Sequence, residues 1–139
     1  MSPDVDARSF DAPRARRVPT TIVARTLGGE VVTRIFDSLT LTLVVAVKGR
    51  CDGCRDFVFS SLDELRGVDV VIVAATELDL EEFADAPREV LVAPEVLAAL
   101  NIRWPPFYVL IDPRTANVLV EGVVFAPAQV ALEIAPYRR

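Results

Sequence analysis

The sequence predicts an α/β protein: one mixed β-sheet flanked by helices, with an extra N-terminal β-hairpin. Three observations predict it. The strand-sized runs Leu39–Val47, which begins with alternation and becomes continuously apolar, and Val68–Ala75 are patterned as strands covered on both faces are. Stretches with helical spacing alternate with further strand-like runs, the order that calls for parallel pairing. A hairpin signal near each end adds antiparallel strands.

Taken in order, residues 1–19 hold three prolines and mixed charges and read as a flexible N-terminal arm, leaving 20–139 as a single domain. "TTIVART" (Thr20–Thr26) and "VVTRIF" (Val31–Phe36) are β-branched runs joined by the turn "LGGE", a hairpin. The buried strand over Leu39–Val47 follows. After it Phe57, Val58, Ser61, Leu62 and Leu65 recur at helical spacing, with Arg66–Gly67 closing the segment. Val68–Ala75 is the next strand, and the acidic "TELDLEEFADA" (Thr76–Ala86) is a surface helix or an irregular connection. "REVLVA" (Arg88–Ala93) is a short strand. "PEVLAAL" (Pro94–Leu100) is a helix with proline at its start. "FYVLI" (Phe107–Ile111) and "VLVEGVVF" (Val118–Phe125) flank the turn "DPRTAN", and "APAQVALEIAPY" (Ala126–Tyr137) is a closing helix.

Composition narrows the function. The 139 residues are 52% hydrophobic, enough for a core that needs neither disulfide nor metal to fold. A net charge of −5 argues against nucleic acid as a partner, because phosphate neutralisation needs a basic face. The basic cluster Arg14, Arg16 and Arg17 is nearly cancelled by Asp4, Asp6 and Asp11. No apolar run reaches the length of a membrane span and no apolar leader is visible, so the expectation is a cytoplasmic protein.

Both cysteines lie in "KGRCDGCRDF" (Lys48–Phe57), and histidine is absent. Cys51 falls just after a buried strand, at the cap of the following helix, with Cys54 in its first turn. Unpaired N–H groups and the dipole at a helix N-terminus stabilise a thiolate, so Cys51 is the candidate attacking thiol and Cys54 the resolving one. Gly53 lets backbone approach the pair. Arg50, with Lys48 and Arg55, favours the thiolate, whereas Asp52 opposes it or serves the first helical turn structurally. A zinc site would need ligands beyond two cysteines, from a second chain or from carboxylates, and an iron–sulfur cluster fails for the same reason. A purely structural disulfide closing so short a loop gains little. The redox pair leads; no cofactor or metal is expected.

A second constellation is "NIRWPPFYVLID" (Asn101–Asp112). Two prolines directly before a strand make a rigid turn or a cis X–Pro bond. With the Cys-x-x-Cys at a helix start, this turn before the last hairpin resembles the thioredoxin superfamily, over about residues 20–137. The N-terminal hairpin is similar to that of the cytochrome-maturation and methylamine-utilisation types and of peroxiredoxin-like proteins. Ile102 and Arg103 match the family's Ile-Arg pair, and Pro106 falls on its cis-proline. The resemblance implies that Pro105 and Pro106 lie against the active-site disulfide and lend backbone groups to an incoming peptide. Trp104 and Phe107 would then form either ordinary packing or an apolar lip for a partner.

The chain departs from the family pattern at the Asp-Gly dipeptide, at Arg50 in place of tryptophan, and at Val45, where thioredoxins bury an acid. Lys48 replaces the peroxiredoxin threonine. The expected function is a thiol–disulfide oxidoreductase, not a peroxidase, working on a protein disulfide or thiol partner and reset by a recycling reductant. The alternative is a thioredoxin-like binding or assembly module with sensory or vestigial cysteines.

Overall fold

The computed structural model describes residues 18–138. Among them, β1 (Thr21–Arg25) and β2 (Val31–Ile35) form the first hairpin, followed by β3 (Thr42–Ala46) and helix α1 (Asp52–Phe59). Next come β4 (Asp69–Ala74), the short helix α2 (Glu77–Leu80), β5 (Val90–Val92) and α3 (Pro94–Ala99). The hairpin β6 (Phe107–Asp112) and β7 (Asn117–Val123) and helix α4 (Pro127–Ile134) complete the chain. This is the order expected from the alternation of patterns.

The described strands make one seven-stranded sheet ordered β2-β1-β5-β4-β3-β6-β7. β3 pairs in parallel with β4, and β4 with β5, while β6 runs antiparallel to β3 and β7 antiparallel to β6. The first hairpin joins the far edge, where β1 meets β5 at Arg25 and Val92. Every residue of β3 is buried, in line with its near-unbroken apolar run. Its alternate residues serve two cores. Leu43, Val45 and Val47 pack with Cys54, Phe57 and Val58 of α1, Leu80 and Phe83, and Val130 and Ile134 of α4. Val44 and Ala46 pack on the opposite face with Ile22, Ala24, Val96, Leu97 and Leu100.

Several boundaries differ from expectation. The strand expected from Leu39 begins at Thr42, because Asp37 turns the chain: its carboxylate accepts from Leu39 N at 2.8 Å and its carbonyl from Thr40 N at 3.1 Å. The helix expected through Leu65 ends at Phe59. There the Ser60 hydroxyl bonds back to the Asp56 carbonyl, and the Arg88 guanidinium takes the carbonyls of Val58 and, at 2.8 Å, Ser60. Leu65 still reaches the core, from a separate 3₁₀ turn over Asp63–Leu65. The acidic segment is α2 followed by a 3₁₀ turn, Glu81–Phe83, with Leu80 and Phe83 buried beneath it. The arm expected over 1–19 lies outside the described residues except for Val18 and Pro19; Val18 is buried, and its N–H bonds to Ala116 O at 3.2 Å.

Candidate active site

β3 ends at the sheet edge where parallel strands of an open sheet deliver their ligand-facing loops. The loop Val47–Arg50 carries the chain from there to Cys51, the N-cap residue of α1. Its extended backbone lets Cys51 Sγ accept from Cys54 N at 3.1 Å, a capping bond made by sulfur where serine or threonine usually serves. The two cysteines form a disulfide with their Cα atoms 5.2 Å apart. They are not equivalent. Cys51 is half-buried at the helix start, whereas Cys54 is wholly buried among the apolar residues under α1, with its sulfur 3.4 Å from Lys48 N.

The proline turn faces the segment between the two cysteines. The Pro105–Pro106 peptide bond is cis, and a methyl group placed on Gly53 would stand 3.4 Å from Pro106 Cγ. Pro106 therefore faces Gly53 with room for little more than a methyl group between them, which brings the two motifs together from opposite halves of the chain. Trp104, on the same turn, is 78% exposed. Arg50 and Asp52 flank Cys51 with exposed side chains. Val45 is fully buried and stands opposite Tyr108 in the β3–β6 ladder, so no carboxylate occupies that strand position.

Residues outside both motifs complete the site. Val124 N donates to Pro106 O at 3.0 Å, which fixes the β7–α4 loop beside the proline turn. On that loop Phe125 is 75% exposed. Gln129 holds the loop from α4: its Oε1 accepts from Phe125 N at 2.7 Å and Ala126 N at 3.2 Å, and its Nε2 donates to Val123 O at 2.9 Å. Trp104 and Phe125 thus lie exposed on two loops joined by a hydrogen bond. The Gln129 clamp is legible in hindsight, since glutamine at the third position of a helix reaches back to the cap. Nothing local marked Phe125.

The other side of the site is acidic. Asp79 Oδ1 accepts from Gly49 N at 3.0 Å, and both oxygens of Glu82 accept from Arg50 N, at 3.0 and 2.9 Å. The Glu82 carbonyl takes Arg55 Nη1 at 3.0 Å, and the Arg55 guanidinium stacks 4.5 Å above the Phe59 ring. Among the described residues, no group of three or more cysteines and carboxylates is placed to hold a metal ion.

No family model matches this chain, and no curated protein matches it either. Solved structures do. The dsbF protein of MTB, seen in mixed oxidised and reduced forms, covers 87% of this chain and 99% of its own, with 20% identity and a TM-score of 0.64. A thiol:disulfide interchange protein of the thioredoxin family from Chlorobium tepidum TLS covers 87% and 96%, with 20% identity and a TM-score of 0.59. A peroxiredoxin-like protein from Aquifex aeolicus covers 88% and 86%, with 13% identity and a TM-score of 0.58. No described helix is long and apolar enough to cross a membrane. Strand order, the placement of the Cys-x-x-Cys and these structural likenesses together identify the fold of this chain as thioredoxin-like.

Proposed function

We propose that this protein is a thiol–disulfide oxidoreductase acting on a protein partner. The observation that carries the reading is the asymmetry of the pair: Cys51 half-buried at a helix N-cap, Cys54 fully buried behind it, and Gly53 between them facing Pro106. In the reduced protein the Cys51 thiolate attacks one sulfur of a partner disulfide. A mixed disulfide forms, the partner's S–S bond breaks, and its second sulfur leaves as thiolate and takes up a proton. Cys54 then loses its proton and attacks Cys51 Sγ. The Cys51–Cys54 bond forms, the partner leaves as a dithiol, and two electrons have passed to it. A dithiol reductant resets the pair by the same exchange in reverse.

Trp104, Pro105 and Pro106, with Phe125 across from them, form the docking lip. Exposed aromatics beside a reactive centre are suited to a partner's apolar surface. With valine at position 45, the proton of Cys54 has no carboxylate acceptor on that strand, so resolution relies on water or on the departing partner thiolate. In a cytoplasmic setting the resting state would be the dithiol.

The test is reduction of insulin disulfides under a dithiol supply: turnover by the native chain and none by Cys51→Ser supports the reading, and no turnover by either removes it. The likeness to a peroxiredoxin-like fold favours a second reading, in which Cys51 is oxidised by peroxide to a sulfenic acid and Cys54 closes the disulfide with loss of water. Lys48, where the peroxidase threonine would stand, weighs against it. Rapid peroxide-driven oxidation of the reduced pair, well above the rate of a small thiol, would establish it instead.

A further inference from the structure

The loop before Cys51 is built around two carboxylates that come from a distant segment. Gly49 and Arg50 present successive N–H groups, and each is taken by an acid, Asp79 and Glu82 respectively. Arg50 is held at φ +57°, a left-handed conformation that non-glycine residues adopt only when their surroundings impose it. Gly49 is tight against both acids: a methyl group there would stand 2.8 Å from Glu82 Oε2 and 3.3 Å from Asp79 Oδ1. The acids are themselves fixed. Thr76 caps α2 by accepting from Asp79 N at 3.1 Å, and its hydroxyl donates to Asp79 Oδ2 at 3.1 Å. Leu80 and Phe83 anchor the segment in the core, and Arg55 of α1 ties to the Glu82 carbonyl.

We propose that Asp79 and Glu82 are positioning residues for the exchange reaction, latching the backbone that places Cys51 at its helix cap and restraining, by their charge, the thiolate that forms there. The inference rests on the exchange reading and adds to it a device set against the helix dipole. Glu82 lies 2.9 Å from Arg50 N, and Cys51 is the next residue, so carboxylate and sulfur are within about 10 Å, one Debye length. Lys48 and Arg50 on the loop, Asp52, Arg55 and Asp56 on α1, and Arg103 on the proline turn are the other charged groups around Cys51. All are exposed, as Glu82 is, while Asp79 is half-buried, so solvent screens each of these charges. The two latched acids differ from these in being held by the backbone they act on.

The experiment measures the rate of iodoacetamide alkylation of Cys51 against pH in the reduced chain. Glu82→Gln and Asp79→Asn each keep an acceptor oxygen but lose the charge. Each is expected to move the alkylation midpoint to lower pH with the melting temperature nearly unchanged, Glu82→Gln raising the rate at pH 6 by about fivefold and Asp79→Asn, whose acid bonds one residue further from Cys51, by less. Gly49→Ala, whose methyl displaces the Glu82 carboxylate, should shift the midpoint the same way. Glu77→Gln is the control, because Glu77 belongs to the same segment but pairs with Arg25 at 2.7 Å; it should leave the midpoint in place. Unshifted midpoints in both Glu82→Gln and Asp79→Asn would overturn the inference, as would an equal shift in Glu77→Gln. In either case the chain would still cycle in the insulin assay, so failure here is distinct from failure of the exchange reading.

Discussion

Reducing the Cys51–Cys54 bridge separates a redox pair from a structural staple, and the size of the effect follows from the fold. The bridge spans a sequence separation of 3. Chain-entropy arguments assign closure of so short a loop about 2 kcal/mol at 25 °C, against about 5 kcal/mol for a loop of a hundred residues. Little else should be lost. Cys54 is one buried residue of a large apolar core and fits there as a small hydrophobic thiol. Cys51 retains its extended cap geometry, and in reduced form its sulfur can still accept from Cys54 N. Urea denaturation with and without a phosphine reductant is therefore expected to show a loss of about 2 kcal/mol, or about 5–10 °C in melting temperature, with the far-UV circular dichroism of the native state intact. Loss of native structure on reduction at 25 °C, or a drop above about 4 kcal/mol, would refute this reasoning and make the bridge a staple.

Other outcomes follow from single residues. Thr42 is fully buried with its hydroxyl unpartnered, so Thr42→Val should stabilise the chain by about 1 kcal/mol in the same denaturation assay; a loss would show that the hydroxyl is satisfied. The Tyr108 hydroxyl donates to Glu133 Oε1 at 2.5 Å, which holds the Glu133 carboxyl below the usual carboxylate range, while burial pushes the Tyr108 phenol up. A carboxyl lowered in the folded state stabilises above its unfolded titration and loses that contribution as pH falls through its folded one. Tyr108→Phe should thus cost more stability at pH 7 than at pH 3, measured against the native chain at each pH, and an equal cost at both would remove the pairing. Trp104→Ala should leave stability within about 0.5 kcal/mol, since the side chain is 78% exposed, yet slow exchange with insulin more than with a small disulfide. Equal slowing of both would remove Trp104 from the docking lip.

The sheet was legible because its evidence is local. Buried runs such as the one ending at Val47 and turn signals such as Gly28–Gly29 depend on nearest neighbours, and so the order of elements follows from reading the chain once. The end of α1 was not, because Phe57, Val58, Leu62 and Leu65 keep helical spacing while the core takes them from two separate pieces of backbone. What breaks the helix is Arg88, 28 residues beyond Ser60. The site divides in the same way. Cys51, Cys54 and Pro106 carry chemistry in their own residue types and neighbours. Asp79 and Glu82 look from sequence like any exposed acidic helix, and what sets them apart is bonding to N–H groups 30 and 32 residues away. Phe125 gains its meaning only from the bond between Val124 and Pro106.

The central claim is that Cys51 attacks and Cys54 resolves. Incubating the Cys54→Ser and Cys51→Ser chains with a disulfide-bonded protein, then separating the products without reductant, measures it directly. Cys54→Ser should accumulate a covalent adduct that dithiothreitol releases, and Cys51→Ser should accumulate far less. Adducts through Cys54 in equal or greater yield, or none through either cysteine, would contradict the account.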